Sequence, residues 1–126
     1  MHYNLLLVLH SDEEHLGDDA DYRMQPYWES YSGDREVPQS DELWYDWYSF
    51  RHPEKLAKLD GSMTGFCKLS ELDPDATNFD EFYTYADDDF ATDCRTAGTE
   101  SIAEVIKKRL VIQEGDPFLI VINYHN

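Results

Sequence analysis

Leu5-Leu6-Leu7-Val8-Leu9 and, far along the chain, Phe118-Leu119-Ile120-Val121-Ile122 are the two runs whose reading decides the fold. Five apolar residues in a row leave no face for water, so each run reads as a strand covered on both sides. Two such strands in one small domain belong side by side at the centre of a sheet. Both terminal segments are then tied into the core.

Working inward from the second run, Gly115-Asp116-Pro117 is a turn, and the stretch before it is the clearest helix, Ile102 to about Ile112. Ser101 and Glu104 have capping-box spacing. Ile102, Val105, Ile106 and Leu110 share one face, and Lys107, Lys108 and Arg109 oppose the negative end of the helix dipole. Pro53 to Asp60 reads as a short helix closed by Gly61, and Met63 to Leu69 as a strand. After Asn78 the signals conflict. Phe79, Phe82, Tyr83, Ala86 and Phe90 have helical spacing, yet Phe82 to Ala86 is rich in strand formers. Ser40-Asp41-Glu42 resembles a helix start, and Leu43, Trp47 and Phe50 would then share one inward face. Ser11 to Ser40 is a long polar excursion broken by Gly17, Pro26, Gly33 and Pro38, but it carries Tyr22, Tyr27, Trp28 and Tyr31. The expected fold is α+β over a single domain, residues 1–126. Its ferredoxin-like core has a mixed or antiparallel sheet, the terminal strands central, and one or two helices packed on a face.

Charge narrows the function. Among 126 residues, 27 Asp and Glu face 10 Lys and Arg, a formal −17 at pH 7. The excess is clustered. Asp12 to Asp46 holds twelve acids against Arg23 and Arg35, and Glu71 to Asp93 holds nine acids and no base. Such a surface repels nucleic-acid phosphates and anionic lipid, and it attracts grooves lined by Lys and Arg. With 41% hydrophobic and 14% aromatic residues, the chain is not a disordered acidic tail.

Catalytic and metal patterns are weak. Cys67 and Cys94 lack C-x-x-C spacing, which suggests two reduced thiols and neither disulfide nor zinc. Asp73-Pro74-Asp75-Ala76-Thr77 begins like a calcium loop, but Asn78 stands where Gly is needed and Thr84 where the bidentate Glu belongs. There is no P-loop, nucleophile elbow or H-E-x-x-H, so no metal and no cofactor is expected. His10 and His125 would make a histidine-lined site only if their strands are parallel neighbours. The opening residues lack the basic and apolar segments of a signal peptide, and no stretch approaches the roughly 20 apolar residues of a membrane span. A cytoplasmic protein is expected.

Met1-His2-Tyr3, Trp44-Tyr45-Asp46-Trp47-Tyr48 and Ile122-Asn123-Tyr124-His125 resemble a family of small phage and prophage proteins. Members carry a Trp-Asp-Trp-Tyr segment followed by Gly-Gly-Arg-Trp, and end in Val-Asp-Tyr-His. Here Phe50-Arg51-His52-Pro53 replaces the glycines and Asn123 the Asp. The resemblance implies a phage or mobile-element origin and no established chemistry.

Fixed carboxylates on a small domain can imitate duplex DNA, which presents about one negative charge per 1.7 Å of axis. The acidic composition is similar to that of DNA-mimic counter-defence proteins. The expected function is therefore a phage-encoded, non-enzymatic inhibitor of a host CRISPR effector or nuclease. Its partner-binding residues would be Asp18, Asp19, Asp21, Asp87, Asp88, Asp89 and Asp93, with Trp28, Trp44 and Tyr45 as aromatic anchors. Two other readings are a phage housekeeping protein that self-associates, for example as a homodimer, and a small enzyme using His10 and His125.

Overall fold

The computed structural model describes residues 2–28, 45–49, 65–73, 83–92 and 102–125. The two apolar runs are the long strands β1 (His2–Leu9) and β6 (Phe118–His125). They pair antiparallel along their whole length, from His2 opposite His125 to Leu9 opposite Phe118. Between them in sequence lie β2 (Trp47–Ser49), β3 (Gly65–Lys68), β4 (Tyr83–Ala86) and β5 (Ala91–Thr92). Across the mixed sheet the order is β5, β4, β1, β6. The outer edge of β6 is shared by β2, against Asn123 to His125, and β3, against Phe118 to Val121. β4 runs parallel to β1, and the terminal strands are central as expected.

Alternation along β1 and β6 divides the core in two. Tyr3, Leu5, Leu7 and Leu9, with Phe118, Ile120, Ile122 and Tyr124, face helix α1 (Leu16–Met24), which buries Leu16, Ala20 and Met24 against them. Leu6, Val8, Leu119 and Val121 face helix α2 (Ile102–Val111), which buries Ile102, Ile106 and Leu110. The fold is α+β with helices on a sheet. A ferredoxin-like core keeps its helices on one face, whereas here each face receives one helix. That is why both central strands are apolar at every position from Leu5 to Leu9 and from Phe118 to Ile122.

Three local readings change. The Ser11–Ser40 excursion contains α1 and a short 3-10 turn, Gln25–Tyr27. Asp12 anchors the start of α1 by accepting the His15 backbone N–H at 2.9 Å, and Asp18 and Asp19 sit in the first turn, where the dipole favours them. Residues 45–49, read as helix, are extended instead. Tyr45 bridges to Trp28 and Trp47–Ser49 pairs with β6, because a free strand edge satisfies more backbone groups than an isolated helical turn. Trp47, expected in the core, is 46% exposed, since strand alternation sends Tyr48 inward and Trp47 out. The conflict after Asn78 resolves as strand at Tyr83–Ala86, fixed by its parallel register with Asn4 to Leu7. The expected helix at Pro53–Asp60 and the residues Leu43, Phe50, Met63, Phe79, Phe82 and Ser101 lie outside the described residues.

Candidate functional site

β1 and β4 are adjacent and parallel, so their carboxyl ends open at the same end of the sheet, with His10 following one and Asp87-Asp88-Asp89 the other. The last turn of α2 and the turn leading into β6 arrive there as well. Open α/β sheets place binding sites at this kind of junction. A cavity of about 300 Å³ lies here, lined by His10, Asp87, Asp88, Asp89, Arg109, Ile112, Gln113 and Glu114.

Its floor is a closed polar network centred on Asp87, which is buried. Arg109 donates to Asp87 Oδ2 from Nη2 at 2.8 Å and from Nε at 3.2 Å, and Gln113 Nε2 donates to the same oxygen at 2.9 Å. The backbone N–H groups of Asp89 and Phe90 both donate to Oδ1 at 2.8 Å. The buried Tyr85 hydroxyl donates to Oδ2 at 3.1 Å. Burial opposes the charge on Asp87, but the hydrogen bonds from Arg109, Asp89 and Tyr85 outweigh it and hold the carboxyl below the ordinary carboxylate range. Burial, then the charge of Asp87, pushes the Tyr85 phenol up. Arg109 also lies over the Phe90 ring, 4.9 Å from its centroid.

The rim differs. Asp88 is 60% exposed, 3.3 Å from Arg23 Nη1 and 3.5 Å from His10 Nδ1. His10 Nε2 lies 3.0 Å from the Glu114 carbonyl oxygen. Asp89 and Glu114 are exposed. Arg23 reaches across from α1 and also donates to the Asp87 carbonyl, so it ties α1 to the end of β4. Ser11 donates to Asp19 in the same neighbourhood. On the outer side of α1, Asp18, Asp21 and Tyr22 face solvent, preceded by Asp12, Glu13 and Glu14.

Of the residues singled out from sequence, Asp18, Asp21, Asp88 and Asp89 are exposed, Asp19 is half-buried, and Trp28 is exposed near the far end of α1. Asp87 is turned inward and saturated by donors. Tyr45, expected as a surface anchor, is buried at 7% exposure and packs edge-on against Tyr48 at 4.9 Å, because its bridge to Trp28 aims it into the core. Trp44 and Asp93 lie outside the described residues. Arg109 and Gln113 were missed as partners of the Asp run. Arg109 was read only as opposing the helix dipole, and Gln113 lies two residues beyond the end of α2.

His10 and His125 fall at opposite ends of the sheet, because their strands are antiparallel. His125 Nδ1 instead meets Asp46 Oδ1 at 2.8 Å, and its ring stacks on Trp47 with centroids 5.4 Å apart. That hydrogen bond lowers the Asp46 carboxyl. Cys67 is buried mid-sheet opposite Leu119, and Cys94 is outside the described residues. Among the described residues, none lining the cavity is a hydroxyl or thiol, and no group of three or more His, Cys, Asp or Glu is placed to hold a metal. No described helix is long and apolar enough to cross a membrane. Comparison with protein-family models, with curated proteins and with solved structures gave no match.

Proposed function

We propose that this chain is a phage-encoded, non-enzymatic acidic inhibitor that binds the basic nucleic-acid groove of a host defence effector, of the anti-CRISPR or anti-restriction type, in the host cytoplasm. One observation carries the reading. Two acidic stretches far apart in sequence are tied together, because Arg23 of α1 grips Asp88 beyond β4. Asp88, Asp89 and Glu114 form an exposed acidic rim at this end, and Asp18 and Asp21 add exposed carboxylates on α1, Asp21 toward Tyr48 at the other end of the sheet. Tyr22, 74% exposed, and Trp28, 44% exposed, supply large rigid contact area beside those charges. A cationic groove is steered to such a surface over long range and held by the aromatic contacts. Asp87 and Tyr45 act through the fold and not as contacts.

The test is a pull-down from host lysate at low salt, with mass spectrometry of what is captured. A basic nucleic-acid-handling protein is expected, and its affinity should fall at least about tenfold as salt rises from about 50 to about 300 mM. Capture of no such protein, or a complex indifferent to salt, overturns the proposal.

The cavity beside His10 favours a second reading, a small enzyme in which His10, next to Asp88, moves a proton. It ranks second because His125 is at the other end and the described lining offers no hydroxyl or thiol. If His10→Ala abolishes a measured turnover while leaving partner affinity intact, this second reading takes precedence.

A further inference from the structure

His10 follows directly on β1 and lines the cavity of about 300 Å³ described above. Its ring links the turn before β6 to the end of β4. Nε2 lies 3.0 Å from the Glu114 carbonyl oxygen. A carbonyl oxygen only accepts, so Nε2 carries the ring proton, and the neutral ring keeps a bare lone pair on Nδ1. That lone pair faces Asp88 Oδ2 at 3.5 Å. Two acceptors therefore confront each other. Only a second proton on the ring turns this contact into an N–H donating to a carboxylate.

The other Asp88 oxygen is already held, because Arg23 Nη1 of α1 lies 3.3 Å from Oδ1. Oδ2 is thus the oxygen whose partner depends on the state of His10. Six charged groups stand around the ring and its contacts. Asp87, Asp88 and Asp89 follow β4, Glu114 precedes β6, Arg109 comes from α2 and Arg23 from α1. Asp87 and Arg109 satisfy each other in the floor, and Arg23 is shared between the Asp88 carboxylate and the Asp87 carbonyl. Histidine is the side chain that ordinarily changes charge between about pH 5 and 8, and His10 is the histidine of this cavity.

We infer that His10 gates the Asp88 carboxylate with a proton: the neutral ring leaves Oδ2 to a cationic side chain of a partner, and the protonated ring takes Oδ2 itself. Proton and partner are alternative occupants of one oxygen, so acid releases the partner. The inference rests on the reading above for the sign of the partner's charge, and it adds the regulation of that same rim.

Fluorescence anisotropy of a labelled hexa-arginine peptide on the full chain, at constant low salt, tests the gate, because guanidinium charge does not change with pH in this range. Affinity is expected to fall about threefold to fivefold from about pH 7.5 to about pH 5.5, as one screened charge at this distance requires. His10→Gln keeps an amide N–H for the Glu114 carbonyl and cannot titrate, so it should lose most of that fall. Asp88→Asn should lose it too, and the double variant no more than either alone. His15→Gln, which meets Asp12 outside the cavity, should keep most of it. The His10 and Asp88 side chains are 44% and 60% exposed, so circular dichroism of all variants should match the parent. Proton–nitrogen correlation spectra of the histidine rings in the free protein at about pH 8 should place the His10 proton on Nε2. Equal peptide affinity at both pH values, a fall that survives His10→Gln, or a neutral ring protonated on Nδ1 overturns the gate. The two readings fail separately. If peptide affinity ignores pH while lysate still yields a basic effector, only the gate is lost; if the gate operates on the peptide and no effector is captured, only the inhibitor reading is lost.

Discussion

At the two ends of the β1–β6 pair, one carboxylate each is matched to a basic side chain, and the two pairs do different work. Asp87 is buried, meets Arg109 through two N–H groups, and receives Gln113, Tyr85 and two backbone N–H groups besides. Asp46 is about one-third exposed and meets the His125 ring under a stacked indole. Desolvation makes the first pair an all-or-none feature of the fold, because removing a partner strands a buried charge. Water screens the second, which fastens a short edge strand and little more. The lesson for an acidic protein is that a carboxylate's role follows from its donors and its exposure, not from its place in a run of Asp. Asp87 and Asp88 are neighbours in sequence, yet one is floor and the other rim.

The largest expected effect breaks the first pair. Asp87→Asn should destabilise the protein by about 3–5 kcal/mol, read as a lower urea midpoint at unchanged slope, whereas Asp46→Asn should leave the midpoint nearly where it is. Equal losses would erase the difference between the two ends. Acid sharpens the same contrast. The Asp87 carboxyl is depressed on folding, so its contribution is complete above the unfolded value of about 3.9 and is lost as pH falls through the lower folded value. Stability should decline on acidification below about pH 4, and Asp87→Asn should flatten that decline. A variant as acid-sensitive as the parent would place the linkage elsewhere.

Tyr85→Phe and Tyr48→Phe compare hydroxyls at the two ends, the first donating to Asp87 and accepting from Gln113, the second donating to Asp21. Each should cost about 1 kcal/mol, with Tyr85 the larger because its bond is buried. The smallest change in stability is expected on the rim. Asp88→Asn combined with Asp89→Asn should stay within about 0.5 kcal/mol of the parent while slowing association with a cationic partner. A large loss of stability would make the rim part of the floor.

The central strands were legible because five consecutive apolar residues admit few other readings, and α2 because its cap, stripe and terminal cations agree. Helix α1 was not. It has only Leu16, Ala20 and Met24 to mark its inner face, and Gly17 and its aspartates are poor helix formers, so burial against β1 and the Asp12 anchor decide it. The stretch Tyr45–Ser49 followed the opposite course. Its helical spacing was plain, but the open edge of β6 won. In the candidate site, the acids were visible and their sorting was not. The inward turn of Asp87 depends on Arg109, 22 residues further on, and no local pattern links the two.

A gathered array of carboxylates, as opposed to an even coat, is the claim on which the function rests. Backbone amide NMR of the intact protein, titrated with a hexa-arginine peptide at low salt, reads it residue by residue. The account expects shifts concentrated on residues 10–23 and 87–90 and at Glu114, with the exposed acid Glu104 and its surroundings quiet. Perturbations spread over all exposed acids alike would contradict it.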